Sequence, residues 1–416
     1  MALKYKKILI LANAFPYGCH EQYMESEEKY YSRFDKAWIA ALGLNKTDAE
    51  TKRELQSNAD VIPVWDKSQY YYRINCFTAL ADRNLYKEVF ELIKAHRLTK
   101  QRVMYLLYYL SKAHHEARVI DKALKNEDKQ DLLIYSYRFE YQPYVALLLK
   151  RKWGNKQKIV CRAHGYDLYE ERNPDNYLPM RSALLSEVDY VFPCSKYGVE
   201  YIKHKYPAGK AQVDVRYLGT SDHGEKVFSS GKEPLRILSC SNVLKVKRID
   251  KIIDALSLIR DIPIEWTHFG DGELIDELRE YAGDKLGSNV KVSFAGNIAN
   301  TELMNTYAAK DFYVFINASS SEGLPVSVME AMSFGIPCIA TDVGGTGEIV
   351  NNDDGILMSK DATPGEIAEA IRAVYNMKED DYQTLRHNAR RFWENNFDAD
   401  KNYNDFFEEL AALKEY

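Results

Sequence analysis

Glu322 and Glu330 stand eight residues apart, and the segment between them has the character of an anion site. The apolar run Phe312–Asn317 predicts a strand, Ala318-Ser319-Ser320-Ser321 a loop, and Pro325 to Phe334 a helix that Gly335 and Pro337 close. Proline suits a first helical position because its missing N–H would be unpaired there anyway. Unpaired N–H groups of Gly323, Leu324 and Val326, on either side of Pro325, would then meet the positive end of the helix dipole, which is a place for phosphate. Glu330 sits among Val328, Met329, Ala331 and Met332 and is expected to be partly buried, so its carboxylate needs hydrogen-bond donors. Two hydroxyls of a ribose would serve. Glu322, in the loop ahead of the helix, would address a sugar, with a diphosphate between the two acids.

The elements that must position these residues read as α/β throughout. A first buried strand is predicted over Lys7–Leu11, ending in Asn13-Ala14-Phe15-Pro16-Tyr17-Gly18, with a helix from about Met24 to Arg33. The stretch from about 70 to 125 has a helical pattern and is rich in Tyr and basic residues. Further strands are predicted at 131–135, 158–161 and 190–192, and a second series at 235–239, 264–269, 290–294, 312–317 and 337–340. Strands alternating with helices imply doubly wound parallel sheets. A polar, glycine-containing segment between Leu218 and Pro234 separates the two series. The expected division is 1–218, 219–389, and a helical tail 390–416, with Trp393, Phe397 and Tyr403, that returns to the first domain. Ligands of such sheets bind at the carboxyl ends of the strands, so the site is expected in a cleft between the two domains.

Bulk properties exclude several classes. A length of 416 residues with 46% hydrophobic and 28% charged side chains allows two or three ordinary cores. The net charge of −5 argues against nucleic acid as the main partner. Cys19, Cys76, Cys161, Cys194, Cys240 and Cys338 are scattered without a CxxC pair, which fits a reducing compartment and neither a zinc site nor a disulfide framework. The apolar runs at Ile8–Leu11 and Met104–Leu110 are too short for an export signal or a membrane span. A cytoplasmic protein is expected, with peripheral contact at the inner face of a membrane left open.

The Glu322–Glu330 pair, with Gly323-Leu324-Pro325, Gly335-Ile336-Pro337 and Gly344-Gly345 around it, resembles the E-x7-E signature of retaining GT-B glycosyltransferases of family 4. The resemblance spans nearly the whole chain; it is strongest from Leu235 to Gly355 and weakest from about 60 to 130. It implies two Rossmann-like domains facing a cleft. Ser239-Cys240-Ser241-Asn242-Val243-Leu244-Lys245-Val246-Lys247-Arg248 is similar to the family's loop after the first strand of the second domain, and Lys247 falls on the lysine that pairs with the donor phosphates. Asn242 stands where the family usually has Arg, which leaves Lys247, with Arg248 or Lys245, to supply the charge. Gly270-Asp271-Gly272 resembles a G-x-G turn, in which close backbone approach to the ligand would explain both glycines. Asn297 and Ile298 match the loop that reads the base. Arg162-Ala163-His164-Gly165-Tyr166-Asp167 resembles the segment near the reacting carbon, so His164 would contact the donor sugar or orient the acceptor. Gly18 is carried over from the first loop, where a glycine amide approaches the diphosphate; Cys19 and His20 replace the family's second glycine.

What the resemblance implies is a metal-independent, retaining transfer of a hexose-type sugar from a UDP- or GDP-sugar to a saccharide or polyprenyl-linked saccharide, as in bacterial surface polysaccharide synthesis. It implies no cofactor and no metal. The lone Asp398-Ala399-Asp400 lies far from any early strand, where a metal-binding pair would stand. The alternative within the same fold is a nucleotide-sugar epimerase or a phosphorylase-like enzyme. The basic, Tyr-rich stretch Lys94–Lys125 is either a surface for a lipid-linked acceptor or anionic bilayer, or a solvated helical face beside core tyrosines.

Overall fold

The computed structural model describes residues 4–18, 21, 23–74, 76–226 and 232–413. The chain divides into two compact units, one comprising residues up to Arg216 together with those from Tyr403 on, the other Tyr217–Asn402. Cys19 and His20, on which one expectation for the first loop falls, lie outside the described residues.

The first unit holds a seven-stranded parallel sheet: β1 (Lys7–Ala12), β2 (Lys36–Leu44), β3 (Asp60–Trp65), β4 (Leu132–Ser136), β5 (Lys158–Ala163), β6 (Tyr190–Pro193) and β7 (Gln212–Val213), in the order β3-β2-β1-β4-β5-β6-β7. β1 and β4 are continuous apolar runs, as strands covered on both faces must be. The second unit holds β8 (Leu235–Cys240), β9 (Ile264–Phe269), β10 (Val290–Gly296), β11 (Val314–Asn317), β12 (Cys338–Thr341) and β13 (Gly355–Met358), parallel in the order β10-β9-β8-β11-β12-β13. Both units are Rossmann-like. The core of the second is packed from Ile237, Ile253, Trp266, Val314, Ile316 and Ile371.

Strand order decides where a ligand can sit. In the second unit β8 and β11 are neighbours, paired at Val314–Ile237 and Phe315–Leu238, and the winding direction reverses between them. Loops leaving two such strands run to opposite faces of the sheet and leave a crevice at their carboxyl ends. The loops in question are Ser241–Arg248 and Ala318–Pro325, which carry Lys247 and Glu322. In the first unit the tail residues Phe406 and Phe407 pack edge-on against Tyr135. The 70–125 stretch is helical, in short segments followed by a long helix over Lys100–Ala123.

Candidate active site

The helix after β11 runs over Val326–Ser333 with Pro325 as its N-cap and no side-chain cap. The amides of Val328 and Met329 turn back to the Pro325 carbonyl. Those of Gly323, Leu324, Val326 and Ser327 make no hydrogen bond among the described residues. Helix ends normally satisfy such donors with caps, water or a ligand. Their position is fixed from two sides. The Ser320 amide donates to the Val246 carbonyl at 2.8 Å, which ties this loop to the turn that carries Lys247. The Gly345 amide donates to the Gly323 carbonyl at 2.8 Å. Gly344 has φ +58°, and a Cβ there would lie 1.8 Å from the Glu322 carbonyl oxygen, so only glycine fits against the loop.

Lys247 and Glu322 are 75 positions apart in sequence and form an ion pair, Nζ to Oε1, of 2.7 Å. The Asn317 side chain donates to the same Glu322 oxygen at 3.3 Å. The Lys247 side chain is only 22% exposed and stands beside the unpaired amides' loop, so cation and N–H donors converge. Arg248 is engaged elsewhere, donating to the Lys360 carbonyl at 2.7 Å. Glu330 is buried in the helix, and Asn300, at the start of the helix Asn300–Ala309, donates to its Oε1 at 2.8 Å. Its Oε2 has no hydrogen bond among the described residues. Burial pushes the Glu330 carboxyl up to about 7, with the Asn300 bond pulling the other way. Burial also lifts the neighbouring Cys240 thiol, to about 12, and the Glu330 charge adds to that rise.

The two glycines after β9 have a structural reason other than the expected one. A Cβ on Gly270, at φ +127°, would meet the Ser241 carbonyl oxygen at 1.9 Å, and one on Gly272 would meet that of Val243 at 2.5 Å. The close approach is to the Ser241–Val243 backbone, whose Ser241 and Val243 amides donate to Phe269 and Asp271. Asn242 and Asn297 are exposed at these loop tips and Ile298 is half-buried. Among the described residues no hydrogen bond joins Asn297 or Ile298 to Glu330, though the neighbouring Asn300 reaches it.

In the first unit, Asp167 organises the loop after β5. It accepts the His164 amide at 2.7 Å and the Phe139 amide at 2.8 Å, and lies 3.4 Å from His164 Nδ1. Burial alone would raise the Asp167 carboxyl, but the His164 ring, these bonds and Arg138 hold it down at about 2. His164 Nε2 is buried without a partner among the described residues. Gly18 departs from its expected role. Its amide is already spent on the carbonyls of Asp48 (3.1 Å) and Thr51 (2.8 Å), so it offers no donor to a diphosphate in this loop. The amides of Asn13, Ala14 and Phe15 are likewise taken by the Glu21 carboxylate, which Arg138 pairs at 3.1 Å. Neither Glu21, Asn300 nor Asn317 was singled out by sequence; nothing in their local spacing marks them. Among the described residues no group of three or more His, Cys, Asp or Glu side chains is arranged to hold a metal ion.

Residues 222–392 match the family described as glycosyl transferases group 1. The GtfA subunit of a UDP-N-acetylglucosamine–peptide N-acetylglucosaminyltransferase from Streptococcus agalactiae is 29% identical over 167 residues, 38% of this chain and 30% of that protein. The amylovoran biosynthesis glycosyltransferase AmsK of Erwinia amylovora is 23% identical over 249 residues, 58% of this chain and 60% of its own. The chain thus spans less than two thirds of the length of either relative. The crystal structure of Anabaena Alr3699/HepE in complex with UDP shares the fold, with a TM-score of 0.68 at 17% identity over 98% of this chain and all of that one. The family segment lies in the second unit and includes the loops that follow β8 and β11, and the Anabaena structure shares the fold.

Proposed function

We propose that this chain is a retaining glycosyltransferase that moves a hexose-type sugar from a UDP- or GDP-sugar to a saccharide or lipid-linked saccharide in surface polysaccharide synthesis. The observation that carries the reading is the set of unpaired amides at the start of the Val326–Ser333 helix, with Lys247 and the two acids around it. In this reading the amides of Gly323, Leu324 and Val326 and the Lys247 ammonium hold the diphosphate. Glu330 Oε2 takes a ribose hydroxyl, and Glu322 faces the sugar. The second unit takes the donor and the first, with His164, the acceptor side.

In the transfer, the bond from the anomeric carbon to the diphosphate oxygen breaks and the acceptor oxygen bonds to the same carbon on the same face. The acceptor proton passes to the leaving phosphate oxygen, so no strong protein base is needed. Negative charge grows on the diphosphate as it departs. Preorganised N–H donors and a half-buried lysine stabilise that growth, which is the service a divalent cation would otherwise give. His164 Nε2, unpaired and held in orientation by Asp167, is suited to a substrate hydroxyl. A cytoplasmic location belongs to the same reading, and the thiols of Cys76, Cys161, Cys240 and Cys338, which join no disulfide, fit it.

The test is a thermal-shift panel of UDP-, GDP- and dTDP-sugars, then acceptor screening with the best donor and NMR of the new linkage. Retention of the donor's anomeric configuration is expected. Inversion refutes the mechanism. Free nucleotide with an altered sugar in the absence of acceptor, or turnover that requires inorganic phosphate, replaces the reading with the epimerase or phosphorylase.

A further inference from the structure

The Lys100–Ala123 helix, where the sequence places the basic, Tyr-rich stretch, turns much of its length inward: Leu106, Tyr109, Leu110, Ala113 and Ile120 are core residues. The exposed apolar surface lies just before it. Nine of the fifteen large apolar side chains that stand exposed among the described residues fall between Tyr70 and Met104. Such concentration is unusual in scattered surface residues and marks a site of interaction.

Its centre is two helices, Phe77–Leu80 and Arg83–Lys94. Phe77 is 75% exposed, Tyr86 60%, Phe90 66% and Ile93 52%. Tyr86, Phe90 and Ile93 follow at spacings of four and three, so they form one stripe. The opposite side of the same helix, with Leu85 and Leu92, is buried. The Tyr86 hydroxyl donates to the Leu80 carbonyl at 2.7 Å, which joins the stripe to the end of the preceding helix. At 100° per residue, Arg83, Lys87 and Lys94 form a second exposed stripe directly beside the aromatic one. Neither acid of this helix borders the aromatic stripe: Glu88 turns inward to the Tyr177 hydroxyl at 2.9 Å, and the exposed Glu91, one turn after Lys87, lies on the side of the basic stripe away from the rings.

An aromatic and aliphatic ridge edged by three cations is matched by the boundary of an anionic bilayer, where rings enter the headgroup region and ammonium and guanidinium groups meet lipid phosphates. A second protein surface of ordinary mixed charge has no reason to match three cations on one side only. No described helix is long and apolar enough to cross a membrane, so the contact would be a surface one. We propose that the ridge from Phe77 to Ile93 docks the first unit on the surface of an anionic lipid bilayer. This does not depend on the transfer chemistry.

The test is cosedimentation of the full chain with vesicles of phosphatidylcholine alone and of phosphatidylcholine mixed with phosphatidylglycerol. The chain is expected to pellet with the mixed vesicles and less with phosphatidylcholine, with binding weakened by salt. Phe77→Ser/Phe90→Ser should lower partitioning at least tenfold, and Arg83→Gln/Lys87→Gln/Lys94→Gln by about fivefold for each charge removed. Both sites are exposed, so the variants should keep the wild-type melting temperature. Absence of wild-type binding to the anionic vesicles overturns the proposal. So does binding that neither variant changes. Sedimentation velocity that shows a dimer which Phe77→Ser/Phe90→Ser dissociates would assign the ridge to a second copy of the chain instead.

Discussion

Replacing Glu330 with Gln should raise stability and lower nucleotide affinity in the same variant. The Glu330 carboxyl titrates near 7 in the folded protein against 4.5 unperturbed. Between those values the folded state holds a proton that the unfolded state has lost, so stability falls as pH rises through the window. Above it the full cost is present, about 3 kcal/mol at about 1.4 kcal/mol per pH unit. Gln has nearly the same shape, keeps an oxygen for Asn300 and carries no charge. Glu330→Gln should therefore melt roughly 10 °C above wild type in the second unit's transition at pH 8, and about level with it at pH 4.5. Loss of a charge-assisted bond to the ribose should weaken UDP or GDP binding at pH 8 about tenfold or more. The assays are differential scanning calorimetry across pH and titration calorimetry with UDP and GDP. Equal melting at pH 8 would refute the burial argument, and unchanged affinity would remove Glu330 from the nucleotide site.

Lys247→Ala removes the cation beside the unpaired amides and should reduce transfer at least tenfold while leaving the fold intact, read by initial rates and circular dichroism. Glu330→Ala should likewise lose at least tenfold in rate. Gly344→Ala forces a Cβ toward the Glu322 carbonyl, 1.8 Å away without rearrangement, at a positive φ. It should displace the Glu322 loop, lower the melting temperature and weaken nucleotide binding together; wild-type values in both would show that the Gly344 contact does not hold the loop. His164→Ala should reduce transfer while leaving UDP or GDP affinity in the second unit within twofold of wild type, checked by comparing rates with calorimetry.

Much of this architecture was legible from apolar runs. β8, β9 and β11 stand close to where periodicity predicts them, because parallel strands buried on both faces are nearly all apolar. Of the strands not foreseen, β3 contains Pro63 as an edge strand can and alternates in burial, and β7 has only two residues; β2, rich in Ala and with Gly43, and β13 keep the rule but give weaker strand signals than the Val- and Ile-rich runs. The helix start at Pro325 was readable from local chemistry. The Lys247–Glu322 pair was not, because two loops far apart in sequence meet only when β8 and β11 become neighbours. Asn300 reaches Glu330 from a separate helix for the same reason. Gly18 and Gly270 are a different case. Their type signals close approach, but the partner is the chain's own backbone and side chains: Asp48 beside Gly18 and Ser241 beside Gly270.

The most direct measurement is a crystal structure of the intact chain with UDP, or with GDP if the thermal-shift panel favours it. The account predicts phosphate oxygens within hydrogen-bond distance of the amides of Gly323, Leu324 and Val326 and of Lys247 Nζ, with the ribose hydroxyls on Glu330 Oε2. A diphosphate bound away from the start of the Val326–Ser333 helix, or a ribose that leaves Glu330 untouched, would contradict it.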